Sequence, residues 1–163
     1  MVIDLRRLFQ TDGMEEIHTG ELDFSGMELG GVKPFCVPVR VQAGLKSFAG
    51  AVDLTAKVTY TLRMPCDRCA ETVVREYART FTHTLVRESQ EEDAGELIPV
   101  PDERLDLGSL LLEDILLDMP GQFLCKEDCK GLCPSCGKNW NQGPCQCGAP
   151  QVDPRLEVLK QLL

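Results

Sequence analysis

The chain has 163 residues, 43% of them apolar, with nine cysteines and a formal net charge of −9. That length suits one domain with a small appendage and lets roughly two thirds of the unfolded surface be buried, so the core does not depend on metal alone. The acidity argues against free nucleic acid as a partner of the whole protein, because phosphate binding draws on clustered Lys and Arg, and it favours a basic protein partner.

Uninterrupted apolar runs are very short, such as Leu110 to Leu112, so no membrane span is expected. The N-terminal stretch MVIDLRRLFQ has no apolar h-region and no small-residue cleavage site. The expected location is therefore cytoplasmic. In a reducing compartment, nine cysteines read as metal ligands rather than as a disulfide framework.

In chain order, Val2 to Leu5 and Ile17 to Phe24 are candidates for short strands, and Arg6 to Phe9 for a helical turn. Phe35, Val37, Val39, Val41 and Ala43 alternate with Cys36, Pro38, Arg40 and Gln42, which predicts a half-buried strand. Pro38 cannot donate to a ladder, so this strand is expected at an edge or with a bulge. Gly44 to Gly50 reads as a turn. From Val52 to Met64 the even positions are apolar and the odd ones polar, with Val and Thr enriched, which predicts a long strand. It runs into Cys66 and Cys69. Val73, Tyr77, Phe81 and Leu85 then share a parity, interrupted by Arg75, Arg79 and His83. Ala51 to Val86 is accordingly read as a long antiparallel hairpin with C-D-R-C at its tip.

Glu88 to Glu103 is rich in Asp and Glu and reads as a solvated loop. Leu107 to Met119 reads as a leucine-rich helix capped by Asp106 and stopped by Pro120. Its surplus leucines complete the core or form a partner surface, and the core is the simpler assignment. A short C-terminal helix is predicted after Asp153 as N-cap and Pro154 as first helical residue, with Leu156, Leu159 and Leu163 on one face. The fold class is thus α+β: an antiparallel sheet with a long hairpin, one packed helix, a Cys-rich zinc-binding tail and the short terminal helix. The expected division is residues 1–124, carrying the C-D-R-C knuckle, and residues 125–163.

Cys36 stands alone and is left out of any site. The other eight cysteines form four pairs: Cys66 and Cys69, Cys125 and Cys129, Cys133 and Cys136, Cys145 and Cys147. Structural zinc takes four soft ligands in a tetrahedron, and paired ligands can chelate one ion from a tight turn. Glycines follow Cys136 and Cys147 and let the chain turn close to the sulfurs. Two structural Zn2+ ions are expected. One arrangement joins Cys133, Cys136, Cys145 and Cys147 across KNWNQGP and leaves Cys66, Cys69, Cys125 and Cys129 for the other ion. A second joins the two C-x-x-C knuckles instead. Smaller loops favour the first. Iron–sulfur is the rival centre, but the chain lacks a C-x2-C-x2-C run. Each four-thiolate zinc adds two negative charges, taking the formal count to about −13.

No P-loop, G-x-S-x-G or G-x-G-x-x-G is present, so neither an enzyme nor a small-molecule substrate is expected. His18 and His83, the only histidines, read as ordinary strand or surface residues.

Three segments resemble the YceD family, the large ribosomal RNA subunit accumulation proteins. They are the strand ending in CDRCAE, the helix LDLGSLLLEDILLDMP, and LCKEDCKGLCPSCGKNWNQGPCQCG followed by DPRLEVLKQL. The likeness runs from about Val52 to the C-terminus. It implies a non-enzymatic ribosome biogenesis factor needed for the synthesis or accumulation of large-subunit ribosomal RNA, with no catalytic residues to carry over. The partners then expected are large-subunit assembly intermediates or a basic ribosomal protein. The alternative is direct ribosomal RNA binding through a local basic face of Arg63, Arg68, Arg75 and Arg79.

Overall fold

In the computed structural model, residues 1–88 and 97–147 are described. The expected C-terminal helix lies outside them, as does the middle of the acidic segment. The chain divides into two compact units: Met1–Met64 with Val74–Gly121, and Pro65–Val73 with Gln122–Leu163. The C-D-R-C knuckle therefore groups with the tail, a division drawn differently from 1–124 and 125–163.

The larger unit is α+β. Strands β1 (Val2–Asp4) and β7 (Arg104–Asp106) form a two-stranded antiparallel sheet. The main sheet has five strands in the order β2 (Glu15–Leu22), β3 (Val39–Phe48), β4 (Ala51–Pro65), β5 (Thr72–Val86) and β6 (Leu97–Pro99). The period of two decides which face is buried. Val39, Val41, Ala43 and Leu45 of β3 turn inward with Val52, Leu54, Ala56, Val58, Tyr60 and Leu62 of β4, all buried. Phe24, Phe35, Tyr60 and Tyr77 make a chain of aromatic contacts with centroids 5.6, 6.4 and 5.4 Å apart.

Helix α1 (Arg6–Gln10) buries Leu8 and Phe9, and α2 (Leu107–Asp118) buries Leu107, Leu111 and Ile115. The spacing of four in α2 keeps those three side chains on one stripe. Asp106 caps α2 by accepting from the Gly108 and Ser109 amides at 3.0 and 3.4 Å. Two pairs tie α2 to β5: His83 Nε2 lies 2.8 Å from Asp114, and Arg79 Nε donates to Asp118 at 2.5 Å. Both partners are four residues apart in each element, so two of the three polar residues that interrupt the β5 pattern are matched by acids on successive turns of the helix. Leu117 points away and is 86% exposed. The surplus leucines thus do not all enter the core. Among the described residues no helix is long and apolar enough to cross a membrane.

Three expectations are corrected. Gly44 does not start a turn, because β3 continues to Phe48 and only Ala49 and Gly50 turn the chain. The buried parity persists through Leu45 and Ser47, and a strand keeps its register as long as that face finds a core. Nor is β3 an edge: it lies between β2 and β4, and Pro38 precedes its first residue, where its missing N–H costs no ladder bond. Finally the sheet is mixed rather than antiparallel, since β6 runs parallel to β5 with Leu85 opposite Ile98. Half-buried Leu97 and Ile98 lie within a segment whose acidity reads as loop.

Asp106→Ala removes the α2 cap and is expected to lower the unfolding free energy by about 1 kcal/mol in a urea titration. The Ser109 side chain foremost, opposed by slight burial, holds the Asp106 carboxyl below its ordinary range. Its contribution is thus present above the unfolded pKa and is lost as pH falls through the lower folded one. The gap between variant and parent should narrow on acidification, and a gap that widens there would rule out this cap as the cause.

Candidate metal centres

The smaller unit has a core built largely of sulfur. Its buried apolar side chains among the described residues are Cys66, Cys69, Val73, Phe123, Cys129 and Cys133. The two residues inside C-D-R-C fasten the segment that supplies the next ligands. Asp67 receives the Phe123 amide on Oδ2 at 2.6 Å and donates its own amide to the Phe123 carbonyl at 2.9 Å. Arg68 donates from its guanidinium to the Cys129 carbonyl at 3.0 Å, and its own carbonyl accepts from the Leu132 amide at 3.1 Å. The knuckle is closed by Ala70 N–H to Cys66 O at 2.8 Å, with Ala70 at φ +58°. A matching knuckle forms at Cys133, whose carbonyl accepts from the Gly137 amide at 2.8 Å with φ +72° at Gly137.

These turns gather the eight thiols into two sets, Cys66 with Cys69, Cys125 and Cys129, and Cys133 with Cys136, Cys145 and Cys147, each with all sulfurs within 4.8 Å of one another. This is the arrangement with the smaller loops. In the first set, Cys66 and Cys129 sulfurs are 3.8 Å apart and those of Cys69 and Cys125 3.6 Å. A tetrahedron with metal–sulfur bonds of about 2.3 Å has edges of about 3.8 Å, so these spacings fit a single ion. Cys36 is exposed and belongs to neither set. His18 pairs with Glu16 at 3.2 Å in the larger unit, as His83 does with Asp114.

The sulfurs also receive hydrogen bonds from N–H groups, the kind of donor that favours thiolate over thiol. The Cys125 amide donates to Cys66 Sγ at 3.3 Å, Asn141 Nδ2 to Cys129 Sγ at 3.2 Å, and the Trp140 indole to Cys145 Sγ at 3.5 Å. Burial works against ionising Cys66, but the Cys125, Arg68 and Cys69 amides outweigh it and bring the pKa down to about 6. The Trp140 indole, then the Cys147 amide, bring Cys145 to about 6. The opposite happens to their neighbours. At Cys69 a backbone bond to Glu71 lowers the pKa, yet burial and the adjacent thiols push it up to about 12, and Cys136 does the same to Cys147. Crowded thiols of this kind cannot all ionise unaided, and a divalent cation supplies the missing charge. Each set has the chemistry to hold one metal ion.

Sequence reasoning did not single out Asn139, Trp140, Asn141 or Gln142 of the 3-10 turn between the second pairs, nor Glu71. Glu71 Oε1 accepts from Asn139 Nδ2 at 2.9 Å and Gln142 Nε2 at 3.4 Å. Three side-chain amides and the chain's sole tryptophan, packed between two ligand pairs, were the available signal. Three of the four arginines of the expected basic face are engaged: Arg68 and Arg79 as above, and Arg75 also has a partner.

Residues 54–163 match the family described as large ribosomal RNA subunit accumulation protein YceD. YlbN of Bacillus subtilis, an uncharacterized protein, is 27% identical over 151 residues, covering 91% of this chain and 86% of its own length. Rv2926c of Mycobacterium tuberculosis, likewise uncharacterized, is 28% identical, covering all of this chain and 81% of its own length. No solved structure matches.

Gly131, at φ +75°, lies under the knuckle: a Cβ there would come within 3.0 Å of the Arg68 carbonyl. Gly137 has a similar φ but nothing within 4 Å. Gly137→Ala should therefore cost about 1–2 kcal/mol for the left-handed backbone alone, and Gly131→Ala clearly more. Thermal unfolding followed by Trp140 fluorescence checks this, and equal losses would count against the close approach.

Proposed function

Given that the chain belongs to the YceD family of large ribosomal RNA subunit accumulation proteins, we propose that it is a non-enzymatic ribosome biogenesis factor with two structural zinc ions. The observation that carries the role is the family match over 54–163. What supports the non-enzymatic part is the donor set. Four thiolates around one ion complete its coordination, so a zinc held there has no open position at which to activate water. Single-ion spacing of the sulfurs favours zinc over an iron–sulfur cluster. The residues proposed as ligands are Cys66, Cys69, Cys125 and Cys129 for one ion, and Cys133, Cys136, Cys145 and Cys147 for the other.

The proposed partner is a large-subunit assembly intermediate or a basic ribosomal protein, met in the cytoplasm. The charge distribution supports it. Eleven of the 26 acidic residues lie between Glu88 and Asp118, where Arg104 is the sole basic residue, so the rest of the chain is close to neutral. A localised negative field draws in a basic protein and raises its on-rate. Direct RNA binding remains the second reading, since the acidity is confined to one stretch of sequence. It is weakened by the engagement of Arg68, Arg75 and Arg79.

The purified protein is expected to contain two zinc ions per chain by elemental analysis, and tagged protein to co-sediment with large-subunit precursors at moderate salt. Incubation with precursor RNA should give no cleavage. Iron with acid-labile sulfide would overturn the zinc assignment. Cleavage lost on changing one acid or base would overturn the non-enzymatic role. Tight binding of naked RNA with a steep salt slope would replace the first reading by the second.

A further inference from the structure

The two thiol sets share one short piece of backbone. The 3-10 turn Trp140–Gln142 lies in sequence between the ligand pairs of the second set. Two adjacent side chains of that turn serve different sets: Trp140 Nε1 donates to Cys145 Sγ of the second, and Asn141 Nδ2 donates to Cys129 Sγ of the first. The amide of Asn141 is fixed in this orientation by its other bonds. Its Oδ1 accepts from the Lys130 amide at 2.9 Å, while its Nδ2 also reaches Asn139 Oδ1 at 2.9 Å. The turn is also held to the segment linking Cys129 to Cys133. The Trp140 amide donates to the Gly131 carbonyl at 2.9 Å, and Leu132 bridges Asn139. Glu71, two residues beyond Cys69, accepts from both Asn139 and Gln142.

We propose that metal binding at the two centres is cooperative, and that Asn141 is the positioning residue that couples them. This rests on the reading that each set takes a metal ion. The argument is one of what fixes the turn. Cys136 and Cys145 bracket residues 137–144, so an ion bound at the second set pins both ends of that stretch. Pinned, the turn presents Asn141 to Cys129, and the donated hydrogen bond stabilises the thiolate that the first ion needs. Without the second ion, the turn keeps its bonds to Lys130, Gly131, Leu132 and Glu71 but loses the pins at its two ends, and Cys129 loses a fixed donor for part of the time. By linkage the effect is reciprocal, so filling the first set also holds the turn in the shape the second set requires. Loss of an outer partner of this kind lowers metal affinity by roughly 10- to 100-fold.

The test uses cobalt(II) as probe on the full metal-free chain, reduced, with affinities read from thiolate-to-cobalt absorption in competition with a chelator. Parent protein should bind two ions, the second site strengthening the first. The double variant Cys145→Ser, Cys147→Ser should bind one ion about 10- to 100-fold more weakly than the parent's first site. Asn141→Ala keeps all eight thiols; it should bind two ions, weaken the first site comparably, and abolish the dependence of one site on the other. Adding Asn141→Ala to the double variant should then produce little further loss. Asn141→Asp, which puts a carboxylate against the sulfur, should weaken the first site more than the alanine change does. If the parent's two sites fill independently, or if the Asn141→Ala and Cys145→Ser, Cys147→Ser effects on the first site simply add, coupling through Asn141 is wrong while both metal sites stand. If the parent binds no cobalt, the metal reading itself falls and the coupling with it. Should the double variant not fold, Asn141→Ala alone decides, because retained interdependence of the two sites in that variant excludes the proposed route.

Discussion

Four sulfurs brought within 4.8 Å of one another are the constraint on which the smaller unit depends. Among its described residues the buried side chains are mostly cysteines, with Phe123 and Val73 adding little apolar area, so hydrophobic burial there is small. Charge balance counts for correspondingly more. Unneutralised thiolates at this spacing repel, which is why some thiols are driven towards ionisation and their neighbours away from it. The surrounding chain is arranged to that end. Backbone amides, an indole and a carboxamide all point N–H bonds at sulfur, and the two residues inside C-D-R-C are committed to holding the segment that carries Cys125 and Cys129.

The larger unit is ordered on a different principle. Its inward strand positions and the Leu107, Leu111 and Ile115 stripe supply a continuous apolar interior. Two polar side chains of β5 that face the helix are answered there, half-buried His83 by Asp114 and the more exposed Arg79 by Asp118. Stacking of Tyr60 on Tyr77, with Arg79 over the Tyr77 ring at 5.4 Å, extends the same packing towards the helix end.

What the sequence made legible was whatever repeats or sits at a fixed spacing. Alternation from Val52 to Leu62 gave the side of β4 that is buried, because a strand with one dry face needs it residue by residue. Asp106 and Pro120 marked the ends of α2 because capping and proline exclusion are local chemistry. The four cysteine pairs gave the candidate ligands, and loop closure favoured the grouping seen among the thiols. What escaped depends on partners distant in sequence. Gly44 resembles a turn residue until Leu45 and Ser47 are seen to keep a buried parity against β4. Leu97 and Ile98 gain their strand only from the side of β5. The amides of Asn139 and Asn141 look like any polar loop until their sulfur and carboxylate partners, 12 and 68 residues away, are in place. Arg68 and Arg79 look like a binding face for the same reason: nothing local discloses the carbonyl and the carboxylate they already hold.

Among the described residues the order of the main sheet leaves β2 and β6 as its outermost strands, each with a row of backbone groups that no other described strand covers. Such rows are templates on which a second chain can add itself. Here β6 is three residues long and ends in Pro99, which offers no N–H. β2 is longer and carries an exposed Ile17, but Glu15, Glu16 and Glu21 share the strand with it. A second copy approaching edge to edge would set glutamates against glutamates. The glutamates of β2 thus oppose pairing of two copies along that edge.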